Sequence, residues 1–271
     1  YIKRILRIFP VLYLYLFVLS ILNYFFDLNI SLDNFLGAAF YISNFSIFEG
    51  GWYTGHSWTL AVEEQYYLIW PFIFSYVINR IWILVLFLFV VAIMLKALWY
   101  YYPFTTNYTL EPFLNHVNPI FMGALFSILS FKNCFKKNQS IWYNKVVFIS
   151  CVVMVIGVNI CAHYGILGII LLPFGGLISN LIVSFLIIRS LIHSNSYLYN
   201  FLNTNVMVKI GVISYSIYIW QQVFLSPSNV GHDRSLWELF PLNIVIALIV
   251  SYLSYTYYES YFLNLKKRFQ D

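Results

Sequence analysis

Charge is scarce in this sequence. Only 9% of its 271 residues are charged while 61% are hydrophobic, and a water-soluble domain of that size cannot cover its surface with so few ionised groups. Cysteine is nearly missing too. Cys134, Cys151 and Cys161 are odd in number, and two of them sit inside one apolar run, which excludes a disulfide framework. The five histidines, His56, His116, His163, His193 and His232, are scattered, and no metal-ligand spacing joins them. Nucleophile elbow, phosphate loop and dinucleotide fingerprint are all absent, as are low-complexity tracts and an evident internal repeat. No signal peptide opens the chain: Tyr1-Ile2-Lys3-Arg4 leads straight into an apolar stretch, and a first residue other than Met sets the expectation of earlier sequence.

What remains is apolar runs long enough to cross roughly 30 Å of hydrocarbon as helix. They lack the alternation of transmembrane barrel strands, and backbone in lipid must satisfy its own polar groups, so the expected fold is an all-α, polytopic helical membrane bundle. Eight spans can be drawn, over 10–27, 60–79, 81–98, 117–131, 146–163, 166–188, 210–225 and 240–262. Leu36 to Phe48 is apolar but too brief to span, and is expected as a re-entrant or interfacial helix. Placing loops alternately puts 13 of the 15 Lys and Arg on one side, from Lys3, Arg4 and Arg7 to Lys266, Lys267 and Arg268. Short cytoplasmic loops retain positive charge, so both ends are expected in the cytoplasm, and loops 28–58, 99–116, 164–165 and 226–239 outside. The same asymmetry accounts for the net charge of +5 without nucleic acid.

Against this background a few polar clusters stand out. The richest is Gly55-His56-Ser57-Trp58-Thr59-Leu60-Ala61-Val62-Glu63-Glu64-Gln65-Tyr66-Tyr67-Leu68-Ile69-Trp70-Pro71, at the outer end of a span. Glu63 and Glu64 lie about 6–8 Å below a helix start at Thr59. Glu63 shares a face with Tyr66, Tyr67 and Trp70 by the i, i+3, i+4, i+7 rule. Thr59 as an N-cap, with acids favoured by the helix dipole, accounts for one shallow carboxylate. An adjacent pair with Gln65 entering hydrocarbon is costly unless it faces protein or water, which points to function for Glu63 or Glu64. His56, beside them, is a candidate acid–base partner or an interfacial structural histidine. Ser214, Tyr218, Gln221 and Gln222 form a second stripe whose Gln end reaches the same outer level; interhelical hydrogen bonding explains such a stripe equally well by spacing alone. Arg4 and Arg7, at i and i+3, suit a phosphate clamp and also suit positive-inside topology.

Taken in order, these segments resemble the acyltransferase 3 family of bacterial membrane O-acyltransferases. Arg4-Ile5-Leu6-Arg7-Ile8-Phe9-Pro10 is similar to its Arg-x-x-Arg-x-x-Pro element, and His56-Ser57-Trp58-Thr59-Leu60 through Glu63-Glu64-Gln65-Tyr66-Tyr67 to its His-x-Trp-Ser-Leu…Glu-Glu-Gln-Phe-Tyr signature. Ser214-Tyr215-Ser216-Ile217-Tyr218-Ile219-Trp220-Gln221-Gln222 is similar to its Ser-Tyr-x-x-Tyr-Leu-Trp element. The resemblance implies ten spans in the full fold, with the eight here as the third to the tenth. Residues 1–271 would then be a single, N-terminally incomplete acyltransferase domain, and the family's acid–base His would fall ahead of Tyr1. It also implies a bacterial cytoplasmic-membrane location, cytoplasmic acetyl-CoA or another acyl-CoA as donor substrate, and a glycan, polysaccharide or glycolipid hydroxyl as acceptor, among membrane lipids. Arg4 and Arg7 would hold the donor's phosphates. Glu63 or Glu64, with His56, would serve catalysis, and Trp58, Tyr67, Tyr218, Gln221 and Gln222 would line the acceptor region. No metal and no permanently bound cofactor is expected. Two departures stand: His116-Val117-Asn118 ahead of Gly123 replaces the family's Arg-x-Asp, and Glu259 lacks the usual following proline. A transporter or flippase of a lipid-linked saccharide could use the same polar clusters, although paired broken helices and repeats are not evident. A truncated, inactive acyltransferase is the third reading.

Overall fold

The computed structural model describes residues 1–48, 50–77, 80–102, 110–132, 134, 144–193, 196–226 and 239–268. Among the described residues the chain is all-helical, without strands. The longer helices are Ile2–Phe26, Ser57–Val77, Ile81–Tyr101, Leu110–Phe131, Lys145–His163, Gly168–Ile192 and Asn205–Phe224. The last expected span is built of three pieces, a helix Leu242–Leu253, a π-helical turn Ser254–Glu259 and a helix Ser260–Lys267. Four described helices are long and apolar enough by themselves to cross a bilayer: Ile2–Phe26, Ile81–Leu98, Lys145–His163 and Gly168–Ile192. The others expected as spans are helical but fall short for visible reasons. Ser57–Val77 carries Glu63, Glu64 and Gln65, Asn205–Phe224 carries Lys209, Gln221 and Gln222, and the last is interrupted. Lys136, Lys137 and Arg234, used in the orientation count, lie outside the described residues, as does His232.

Two compact units divide the chain, Tyr1–Ala61 with Asn205–Asp271 in one and Val62–Thr204 in the other. In the first, the Ile2–Phe26 helix is the centre. Its Ile8, Val11, Leu12, Tyr15, Leu16 and Leu19 are buried, a stripe at i, i+3, i+4, i+7, i+8 and i+11, while Tyr13, Phe17, Ile21 and Tyr24 are exposed on the remaining surface. Large exposed aromatic and aliphatic groups all round a helix are what a lipid solvent allows. The buried stripe packs on the Asn205–Phe224 helix through Ile219 and Trp220, and on the C-terminal π turn and helix.

Asp27 and Asn29 take positive φ after the first helix, a conformation that Asx side chains tolerate. Ser31 then opens the helix Leu32–Ala39 with a capping box to Asn34. The region Leu36 to Phe48 is not the one short helix expected from its apolarity. It ends at Ala39 and resumes as a 3-10 turn at Ser46–Phe48, which folds back on Gly37 so closely that a Cβ there would lie 2.7 Å from the Phe48 carbonyl oxygen.

The second unit is made of helices leaning on their sequence neighbours. Ile81–Tyr101 packs on Leu110–Phe131, Lys145–His163 on Gly168–Ile192, and Gly168–Ile192 on both Leu110–Phe131 and Ile81–Tyr101. Its buried apolar side chains include Val85, Phe89, Ala92, Met122 and Ile182.

In the first unit a carboxyl is buried without a cation among its partners. Glu259 closes the π turn with 5% of its surface exposed, and its Oε1 accepts from Ser216 Oγ at 2.5 Å and Ser254 Oγ at 3.0 Å. The wide turn, with its i to i+5 register, is what lets Ser254 reach a residue five positions on. A glutamine keeps that acceptor oxygen. Glu259→Gln is therefore expected to melt close to wild type, whereas Glu259→Leu leaves two buried hydroxyls without their acceptor, at a cost on the order of 1–3 kcal/mol each. Thermal unfolding of the two purified variants checks this, and equal destabilisation by both would contradict it.

Candidate active site

The segment between the 3-10 turn and the Ser57–Val77 helix is a break in the helical path. A four-residue turn, Trp52–Gly55, leads to His56. A break of this kind exposes carbonyls that no helix satisfies, and buried carbonyls need donors. Here side chains supply them. Gln222 Nε2 donates to the Trp52 carbonyl at 2.8 Å, Tyr15 hydroxyl to the Tyr53 carbonyl at 2.6 Å, and Ser57 hydroxyl to the Thr54 carbonyl at 2.6 Å. The His56 carbonyl accepts from Tyr218 hydroxyl at 2.5 Å and from Thr59 hydroxyl at 2.9 Å. The Tyr218 and Thr59 hydroxyls also approach each other within hydrogen-bond reach, and with one proton apiece two of these three contacts are made at a time. Trp52 returns the favour to the long helix by donating its indole N–H to the Gln222 carbonyl at 2.9 Å. Ser43 and Ser57, both buried, share a hydrogen bond of 2.7 Å.

Thr59 is thus not the N-cap of the following helix, which starts two residues earlier, at Ser57. Its hydroxyl turns back to the His56 carbonyl instead. Gln222, expected in an acceptor site, has its amide N–H committed to the Trp52 carbonyl. Ser214 is exposed and bonds its own helix at Gly211, so the polar stripe of that helix works inward only from Tyr218. Gln221 and Trp58 are half-buried in the same unit.

The side chains around the break are less fully matched: Thr54 Oγ1, the Trp220 indole N–H and both His56 ring nitrogens are buried without a hydrogen-bond partner among the described residues. The His56 imidazole lies edge-on to Tyr15 and Tyr218, with ring centres 5.6 and 5.3 Å away. Burial lowers its pKa to about 4, since desolvation penalises the charged ring. The imidazole is neutral near pH 7, one nitrogen a donor and the other an acceptor, both without partners. Unmatched buried polar atoms are rare in folded proteins, and a bound water or ligand is one way in which they are matched.

In the second unit the Ser57–Val77 helix presents its acidic face to a groove of about 510 Å³. Glu63, Tyr66, Tyr67 and Trp70 line one wall, and Pro119, Gly123 and Ser127 of the Leu110–Phe131 helix line the other. This is the face expected from the i, i+3, i+4, i+7 spacing. Glu64, half-buried, is not among the lining residues. Tyr66 stacks on Trp70 with ring centres 5.0 Å apart and meets the edge of Phe121. Behind this ladder lies a smaller, apolar cavity of about 190 Å³ bordered by Gln65, Tyr66, Ile69, Trp70 and Phe121. Arg4 and Arg7 stand in the opening turns of the first helix, Arg4 half-buried and Arg7 exposed. No group of three or more His, Cys, Asp or Glu placed to hold a metal occurs among the described residues.

Sequence reasoning missed Tyr15 and Trp52. Tyr15 sits in an unbroken apolar run and bonds a residue 38 positions away, and Trp52 pairs with a residue 170 positions away, so neither leaves a local signal. The chain matches, over residues 1–256, a family model described as an acyltransferase domain. No curated protein and no solved structure matches it.

A buried neutral histidine makes stability pH-dependent. Between the ordinary pKa of 6.5 and about 4 the unfolded chain binds a proton at His56 that the folded chain refuses, so this contribution to stability is lost as pH falls through that window. His56→Gln is expected to remove that part of the slope, at most about 3 kcal/mol. Melting temperatures of both proteins across the window measure it, and identical slopes would count against a buried neutral imidazole.

Proposed function

Because the chain belongs to the acyltransferase 3 family, we propose that it moves a short acyl group, most simply acetyl, from a cytoplasmic acyl-CoA to a hydroxyl of a glycan or glycolipid at the membrane. The observation that carries this reading is the groove of about 510 Å³ in the second unit, where the carboxylate of Glu63 stands beside the flat aromatic faces of Tyr66, Tyr67 and Trp70. Hydroxyl acylation needs a group that takes the hydroxyl proton and a group that orients the acceptor. It also needs a surface that holds the acceptor while excluding water.

In this reading the eight expected spans cross the bilayer with both ends of the chain in the cytoplasm, and the positive-inside count supports that orientation. Arg4 and Arg7, one turn apart at the start of the first helix, hold the donor's phosphates, the task for which guanidinium forks are suited. Glu63 orients the acceptor hydroxyl, and Tyr66, Tyr67 and Trp70 offer flat apolar faces to a sugar ring. The groove lining separates the adjacent carboxylates, and it favours Glu63 over Glu64 for this role. A pKa near 4 makes His56 a poor base at neutral pH, so within its own unit it serves as a neutral hydrogen-bonding group. Tyr218 and Gln222 position the His56 segment, and Gln221 and Trp58 border it. The Glu63 carboxylate is then the group that takes the hydroxyl proton as the new ester bond forms and the thioester to CoA breaks, and general-base assistance of this kind is worth about 100- to 10,000-fold in rate.

The test is transfer of label. Membranes carrying the intact protein and radiolabelled acetyl-CoA are expected to yield labelled glycan or glycolipid. Glu63→Gln is expected to lower the rate at least tenfold, with a much smaller effect from Glu64→Gln. Glycan moved across the membrane without label would contradict acyl transfer, and equal rates for Glu63→Gln and wild type would remove the carboxylate from the mechanism.

A further inference from the structure

Arg189 stands in the last turn of the Gly168–Ile192 helix with 3% of its surface exposed. Its guanidinium carbon lies 4.7 Å from the centre of the Phe148 ring, on the neighbouring Lys145–His163 helix. Its Nε is buried without an acceptor, and its side chain has no hydrogen bond or ion pair with any described residue. A guanidinium keeps its proton in proteins, so the charge stays and its in-plane N–H groups still need acceptors. The ring below attracts the cation through its face and satisfies none of those donors.

The chain is poorly equipped to supply the missing anion. From residue 112 to residue 232 there is no Asp or Glu, while Lys132, Lys136, Lys137, Lys145, Arg189 and Lys209 fall in the same stretch. Lys145 opens the helix one turn before Phe148, and its Nζ lies 5.8 Å from the centre of the Tyr197 ring. Tyr197 begins the short helix Tyr197–Leu202, which packs on the Gly168–Ile192 helix. Two cations, Lys145 on Tyr197 and Arg189 on Phe148, therefore stand at one end of this helix pair, where the Lys145–His163 helix begins and the Gly168–Ile192 helix ends. A basic residue that only sets topology, or that only complements a helix C-terminus, is served best by solvent. Arg189 is covered instead.

We propose that Lys145, Arg189 and Tyr197 form a phosphate-binding site, in which Arg189 is the fixed, two-pronged donor and Lys145 the second, mobile charge. Arg189 is held by Phe148 in one orientation, which suits bidentate contact with two oxygens of a phosphate ester. The phosphate comes either from the headgroup of an anionic phospholipid or from a soluble phosphate. The site lies within the second unit and owes nothing to the acyl-transfer reading.

The experiment is thermal melting of the full-length protein, purified in a neutral, phosphate-free detergent. One arm adds phosphatidylglycerol to the micelles, one adds inorganic phosphate, and a control adds a neutral, phosphate-free diacylglycerol. At least one phosphate arm is expected to raise the melting temperature of the wild type, and the arm that does so identifies the source. The concentration needed for half of that rise is expected to increase about tenfold or more in Arg189→Gln, and less in Arg189→Lys, which keeps the charge without the fork. Lys145→Gln, at an exposed position, is expected to fold normally and to weaken the response severalfold, so the test survives if Arg189→Gln does not fold. The proposal is overturned if neither phosphate source shifts the wild type beyond the diacylglycerol control, or if the shift is unchanged in Lys145→Gln.

Discussion

The first unit depends on the way one interruption in its helical path is satisfied. A chain buried in lipid or in protein can leave the helix only where other groups take over its carbonyls. Between Trp52 and His56 that role is taken by Gln222, Tyr15, Ser57, Tyr218 and Thr59. Two of these donors come from the Asn205–Phe224 helix and one from the first helix, so the break is tied to the core stripe of Tyr15, Ile219 and Trp220. A displaced first helix or a rotated Asn205–Phe224 helix would leave carbonyls bare, each at a cost on the order of 1–3 kcal/mol. The carbonyls of Trp52, Tyr53, Thr54 and His56 are all matched, while both ring nitrogens of His56 are buried without a partner among the described residues.

The second unit is organised by charge as much as by packing. Its carboxylates, Glu63, Glu64 and Glu111, all fall in its first 50 positions, whereas its cations run on to Arg189. The acidic end holds the aromatic groove, and a covered arginine stands on Phe148 far along the chain. From residue 112 to the end of this unit every charged residue is a cation, so Arg189 has no carboxylate near it in sequence.

The helical class was legible, and so were the four helices long and apolar enough to cross a bilayer, because hydrocarbon thickness imposes long apolar runs. The groove face of Glu63, Tyr66, Tyr67 and Trp70 was legible from helical spacing alone. Which side of an all-apolar helix is buried was not: Val11 and Phe17 are equally hydrophobic, yet one is core and the other exposed. The break at 52–56 was missed for another reason. Its stabilising bonds join residues up to 170 positions apart, and Thr59 carries the local look of an N-cap while its hydroxyl bonds the His56 carbonyl. Glu259 shows the same limit, since only the π turn brings Ser254 against it.

The claim that distant side chains hold the 52–56 break is tested most directly by hydrogen exchange of the amides from 51 to 59, compared between wild type and Tyr218→Phe with Gln222→Ala. Those amides are expected to exchange at least tenfold faster in the double variant, while amides of the Ile81–Tyr101 helix keep their wild-type protection. Unchanged protection from 51 to 59 would show that the break stands without these donors and would contradict the account.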